Sequence, residues 1–126
     1  MTQTEINEKL IVVMGRCVQS LEKALSEHIR SANLTPMQFN VLEMLYHKGP
    51  LTVNEIIEKS FSSSGNMGVV MNNLLKAGLV EKRVNDQDRR SRNIPLTATG
   101  HARISTYYPE HLKAIARYLN GVTMEE

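Results

Sequence analysis

Asn66, Val69, Asn73 and Lys76 recur at three- and four-residue spacing, in a stretch that opens with Ser62, Ser63 and Ser64. An asparagine amide can pair with adenine through two hydrogen bonds, a serine hydroxyl can donate or accept, and a valine can touch a thymine methyl. On one face of a helix these side chains have the chemistry to read base edges in a major groove, with Lys76 nearer a phosphate. N-capping is the alternative for the serines, and for Ser62 it is as good a reading as base contact; Val69 reads equally well as a packing residue. Further on, Lys82, Arg83, Arg89, Arg90 and Arg92 fall within eleven residues, and the local acids are Asp86 and Asp88. Such a cluster suits contact with a polyanion. The bland alternative is a solvated turn whose ion pairs contribute little.

The elements that must hold these groups are legible from their boundary residues. Thr52 and Glu55, in T-V-N-E, form a capping box that opens a short helix, with Leu51 and Ile56 placed to close a hydrophobic staple over it. The serine run then starts a second helix over about 62–77. Met67, Val70, Met71 and Leu74 form its buried stripe, opposite Asn66, Val69, Asn72, Asn73 and Lys76. Gly78 ends it as a C′ residue. Leu79 to Val84 and Asn93 to Leu96 read as short strands, and N-D-Q-D-R-R-S-R between them is a polar turn. Two helices and a basic-tipped hairpin over about 79–96 predict a winged helix-turn-helix lobe spanning 34–97.

Long helices flank that lobe. From Thr4 to Ala32, Ile6, Leu10, Val13, Cys17, Leu21, Ala24 and His28 follow helical spacing, and Leu25 and Ile29 widen the stripe. So much apolar surface exceeds what the wing alone could cover, which points to packing against a second subunit, with core packing in a monomer as the alternative. Asn33 breaks this helix. Thr35 and Gln38 form a second capping box, with Pro36 at the first helical position and Leu34 set to staple to Phe39. His47 and Lys48 suit the C-terminal dipole before Gly49-Pro50 stops the helix. Thr97 caps a last helix over 98–122, whose seam is Ile104, Tyr108, Leu112, Ile115, Leu119 and Val122. Pro109 should kink it or mark a joint. The fold class is therefore mainly α with a small β-hairpin wing (α+β), organised as one domain over 1–126.

Global properties agree with that class. A chain of 126 residues is normally one domain with a sufficient core. With 41% hydrophobic and 22% charged residues it is globular rather than disordered. The net charge of +2 makes the local distribution, not bulk charge, the argument for nucleic acid. No stretch approaches ~18 consecutive apolar residues, so no membrane partner is expected. The first residues lack the basic start and apolar core of a secretory leader, and one cysteine cannot form an internal disulfide, so a cytoplasmic setting is expected. No paired carboxylates, nucleophile–base set or phosphate-cradling glycine loop suggests an enzyme. His28, His47, His101 and His111 lack close ligand spacing, so neither metal nor cofactor is expected.

L-T-P-M-Q-F, S-S-G-N-M, K-A-G-L-V-E-K, D-R-R and L-T-A-T-G occur here in an order and spacing that resemble the MarR family of bacterial transcriptional regulators, over nearly the whole chain. The resemblance implies a sequence-specific double-stranded DNA-binding regulator, foremost a repressor. It would bind a palindromic operator as a homodimer through the long terminal helices, and be released by a small aromatic or phenolic effector. It places Arg90 in a minor groove, where arginine is favoured, with Asp88 holding its guanidinium. Arg89 and Arg92 are phosphate candidates. An effector pocket between the terminal helices and the DNA-binding lobe would draw on Met14, Cys17, Met37, Met44 and Tyr46. Cys17 has no sequence neighbour to lower its pKa and does not match the family's peroxide-sensing position. Val69, Asn73 and Gly68 depart from the larger residues usual at those places. The chain ends at G-V-T-M-E-E, where the family runs on into a further helix and Thr123 resembles its N-cap. An effector-independent winged helix that binds DNA weakly or docks a partner is the alternative; it predicts steep salt dependence with little sequence preference.

Overall fold

The computed structural model describes residues 1–60 and 64–120. Helix α1 (Gln3–Ser31) is followed by α2 (Pro36–Lys48), strand β1 (Leu51–Thr52), α3 (Val53–Lys59), α4 (Ser64–Lys76), β2 (Arg83–Val84), β3 (Arg92–Ile94) and α5 (Ala98–Asn120).

Local chemistry sets most of these boundaries. Helix α1 starts a residue earlier than its apolar spacing suggests, because Thr2 and Glu5 form a capping box: the Thr2 amide donates to Glu5 at 2.8 Å and the Glu5 amide to Thr2 Oγ1 at 3.2 Å. It ends at Asn33, held at φ 59°. There the Asn33 amide donates to the Arg30 carbonyl at 2.9 Å and the Leu34 amide to the Ile29 carbonyl at 3.2 Å. That is a Schellman closure, and asparagine tolerates the left-handed conformation it requires. Gly78, at φ 71°, ends α4 in the same way, with its amide on the Leu75 carbonyl and the Leu79 amide on the Leu74 carbonyl, both at 3.1 Å. The capping boxes expected at Thr35 and Thr52 are both formed, and the staple partners Leu34–Phe39 and Leu51–Ile56 are all buried.

The expected hairpin is part of a three-stranded antiparallel sheet in the order β1-β3-β2. Leu51 pairs with Ile94, Thr52 with Asn93, Arg83 with Asn93 and Val84 with Arg92. Strand β1 was not expected from sequence: two residues are too short for any periodicity, and only the returning strand supplies their partner. Thr52 therefore both pairs with the wing and caps α3. The strands are shorter than the runs Leu79–Val84 and Asn93–Leu96, although Val80 and Leu96 form an isolated bridge at the base.

The core lies where α2, α3, α4, the sheet and α5 converge. Phe39, Leu42, Ile56, Met67, Leu74, Leu79, Ile94 and Ile104 are essentially inaccessible, each contributing about 1.5–3 kcal/mol through burial. Thr97 joins the wing base to α5. Its Oγ1 donates to the Gly78 carbonyl at 2.6 Å and accepts the Gly100 amide at 3.0 Å, and its own amide donates to the Leu79 carbonyl at 3.1 Å. Helix α5 runs unbroken past Pro109, so no joint forms there. Its expected extension to 122, with Val122 and Thr123, lies outside the described residues. Of the α1 stripe only His28 is buried, beside Ile29 of the widened face. Ile6, Leu10, Val13 and Leu21 face solvent in the single chain.

Candidate nucleic-acid interface

Helix α4 divides as its spacing predicts. Met67, Met71 and Leu74 are buried, Val70 is half-buried, and Asn66, Val69, Asn73 and Lys76 are exposed on the opposite face. Val69 is 62% exposed, which removes the packing reading proposed for it. Ser62 and Ser63 lie outside the described residues, as does the side chain of Ser64, whose backbone begins the helix. The outward face is thus short-chained and capable of both donating and accepting hydrogen bonds, with Lys76 as a cation at its end.

The wing tip is built by its own polar side chains. The Asn85 amide donates to the Ser91 carbonyl and Asn85 Nδ2 to Ser91 Oγ, both at 3.2 Å, while Asn85 Oδ1 accepts the Gln87 amide at 3.0 Å. Asp88 differs from expectation. Its carboxylate accepts the backbone amide of Arg90 at 3.0 Å, and it forms no ion pair with the Arg90 guanidinium. An aspartate two residues ahead of an amide closes an Asx turn at short range, and this local bond fixes the Arg90 backbone. Arg92 also differs from a freely extended phosphate contact. Its Nη1 donates to the Arg89 carbonyl at 2.9 Å and the Ser91 carbonyl at 3.2 Å, bracing the turn from within. Arg89 and Arg90 are exposed.

A cleft of about 260 Å³ separates the wing from the start of α3, lined by Thr52, Asn54, Lys82, Arg90 and Arg92 among others, with no carboxylate in its wall. Three cations converging on one open cleft suit the phosphates of a nucleic-acid backbone. Asn54 and Lys82 were not singled out from sequence at this place; only the β1–β3 pairing brings the first turn of α3 beside the wing.

The five expected effector residues are not brought together. Met14 and Cys17 are exposed on the first half of α1, whereas Met37, Met44 and Tyr46 pack against the core. Sequence spacing along a helix could not show that α1 projects beyond the lobe before it meets it. Instead, a cavity of about 170 Å³ between α1, α2 and α5 has apolar walls from Leu25, Ile29, Pro36 and Phe39, with Glu22, Asn40, Glu43 and His111 as polar groups.

At that junction His28 Nε2 and His111 Nδ1 share a buried hydrogen bond of 2.9 Å across 83 residues of sequence. Phe39 packs against both rings, with centroids 5.5 and 4.8 Å away. Glu43 Oε1 lies 3.7 Å from His111 Nε2. Burial holds both histidines below their ordinary pKa, with His28 adding to the effect on His111, and burial raises Glu43. His28 on an apolar stripe was a visible signal; its partner was not. Among the described residues no group of three metal-ligating side chains occurs.

A basic-tipped wing locked to a helix-turn-helix defines a winged-helix DNA-binding protein. The MarR family profile matches residues 32–91. The HTH-type transcriptional regulator MhqR of Bacillus subtilis is 30% identical over 123 residues, covering 98% of this chain and 85% of its own. The uncharacterised HTH-type transcriptional regulator YkoM of the same species is 33% identical, covering 82% of this chain and 70% of its own. This chain belongs to the MarR family of transcriptional regulators. Among solved structures, a MarR-like regulator from Bacillus cereus has a TM-score of 0.85 at 21% identity, covering 96% of this chain and 87% of its own. A mutant of Escherichia coli MarR in complex with operator DNA also has a TM-score of 0.85, at 20% identity, covering all of this chain and 91% of its own. The relatives are regulators rather than enzymes, and among the described residues no helix is long and apolar enough to cross a membrane.

Proposed function

We propose that this protein is a repressor that binds a palindromic operator as a homodimer and is released by a small molecule. The observation that carries the DNA reading is the joint presentation of the α4 polar face and the wing cations, with the end of α4 tied to the wing base through Gly78, Leu79 and Thr97 and the wing paired to β1 through Asn93 and Thr52. Asn66, Val69 and Asn73 read base edges, together with Ser62, Ser63 and Ser64 at the helix start. Arg90 enters the flanking minor groove, with Asp88 fixing its backbone. Lys76, Lys82 and Arg89 meet phosphates, and Arg92 holds the wing turn in shape. The E. coli relative solved on operator DNA and the related B. subtilis repressor MdtR, 28% identical, support this reading.

Dimerisation rests on the exposed apolar segment of α1, which is apolar around the helix from Leu10 to Met14. Leu10, Ile11, Val12, Val13, Met14 and Val18 are all more than half exposed in the single chain, and a contiguous apolar surface of that kind marks an interface. Helices α1 and α5, within the segments 4–32 and 98–122 expected to dimerise, would set two recognition helices about one DNA turn apart. The effector, an aromatic or phenolic molecule, would enter the cavity beside Phe39.

The test begins with selection of duplexes on the full chain, then anisotropy at two salt concentrations against a scrambled duplex. A palindromic consensus with a specificity ratio of at least ~10³ is expected. Equal, weak, steeply salt-dependent binding to both duplexes would instead support the effector-independent winged helix.

A further inference from the structure

We propose that His28 and His111 form a proton-operated latch joining α1, α5 and α2, so that acidification transfers His111 from His28 to Glu43 and weakens DNA binding. The output of the latch rests on the DNA-binding reading above; its operation does not.

The geometry allows two arrangements of one side chain. With both rings neutral, one nitrogen of the 2.9 Å pair donates and the other accepts. If His28 Nε2 carries the hydrogen, His111 Nδ1 accepts it, and the remaining His111 Nε2–H points towards Glu43, 3.7 Å away. A first proton can be accommodated on His28 Nδ1 without disturbing that bond. A second proton on His111 Nδ1 sets two N–H groups and two like charges against each other at 2.9 Å, and the bond cannot survive. The protonated His111 then has a carboxylate within reach on α2, and a small approach makes it an ion pair. The exchange replaces an α1–α5 bond with an α5–α2 bond. Helix α2 packs directly on α4 as well as on α5, so its displacement is delivered to the recognition helix.

Other charges face the pair from each element packed against it. On α1 these are Glu27, beside His28, and Glu22, which lines the same cavity as His111. On α2 they are Glu43 and His47, and on α5 Glu110 and Arg117, with Tyr107 lining the neighbouring cavity and Tyr108 stacked near His111. Glu110 and Glu27 favour protonation of His28, while Arg117 opposes it, and desolvation outweighs them all.

The pH sign follows. A histidine held below its unfolded value of about 6.5 contributes stability that is full above that pH and is lost as pH falls towards the native value. Glu43, raised by burial, acts in the opposite sense: its contribution is present below the ordinary carboxylate value of about 4.3 and lost as pH rises through its native value. The exchange therefore requires a pH below the native value of His111, itself lower than about 6.5, at which the Glu43 carboxylate is still ionised.

Histidine ring NMR of the full chain from pH 8 to 5, paired with anisotropy on a selected duplex at pH 7.5 and 5.5, tests the latch. The two rings should titrate in two linked steps below their ordinary value, and in His111→Gln, which retains a donor and an acceptor but cannot charge, the remaining His28 signal should lose the second step. Wild-type affinity should fall about tenfold on acidification, the equivalent of one pKa unit of coupling, whereas His111→Gln should change by less than about threefold. Glu43→Gln should bind normally at pH 7.5 and respond to acid differently from wild type. Independent titration at the ordinary value, or an equal acid response in wild type and His111→Gln, overturns the proposal. Failure of every variant to prefer the selected duplex at pH 7.5 rejects the DNA reading, and the ring titrations then decide the latch alone.

Discussion

Arg90 and Arg92 differ by two positions and do different work. The Arg92 guanidinium is occupied by two carbonyls of its own turn, while Arg90 is exposed, with its backbone amide fixed by Asp88. Arg90→Ala should therefore reduce affinity for a selected duplex by about 10- to 100-fold, the equivalent of about 1–3 kcal/mol for one specific contact, and leave the melting temperature unchanged. Unaltered affinity in anisotropy would remove Arg90 from the interface. The two arginines cannot be told apart by composition or spacing, because the distinction depends on which backbone carbonyls the closed turn presents.

At the scale of elements, the junction of α4, the wing and α5 is tightly constrained at two glycines. The end of α4 needs Gly78 in the left-handed region, and the start of α5 presses Gly100 against the Leu79 carbonyl so closely that an added Cβ would collide with backbone. Gly100→Ala should accordingly destabilise the fold by about 1–3 kcal/mol, as overpacking does, in spite of alanine's better helix propensity. Thermal denaturation checks this, and an unchanged or higher melting temperature would contradict it. The capping boxes at Thr35 and Thr52, the helix ends at Asn33 and Gly78, and the buried stripe of α4 were all legible, because each depends on residues within one or two turns. Strand β1 was not, because it needs a partner on the far side of α3, α4 and the wing tip; the last helix was expected across Pro109, and it is continuous there rather than jointed.

For the whole molecule, the exposed apolar length of α1 decides the quaternary expectation. Val13 is 54% exposed and lies on the stripe that also carries Leu10 and Leu21. Val13→Glu should shift the chain from dimer to monomer in light scattering at micromolar concentration, and operator affinity should fall with it, since each half-site would bind alone. A wild-type chain that is monomeric at high concentration would refute the dimer. The residues expected to line an effector pocket show the same scale: Met14 and Cys17 are held apart from Met37, Met44 and Tyr46 by the way α1 projects, and a cavity lies beside Phe39 and His111.

The sequence by itself determined the helix starts and stops, the two-sided α4, the basic wing and the MarR family resemblance, because caps, periodicity and turn chemistry act over a few residues and survive without context. Tertiary structure alone decided that Thr52 serves both the sheet and α3, that Asn54 and Lys82 share a cleft with Arg90, and that His28 meets His111. Each of these is a contact between segments far apart in the chain, created by burying the common core, and no local rule encodes which distant partner that burial selects.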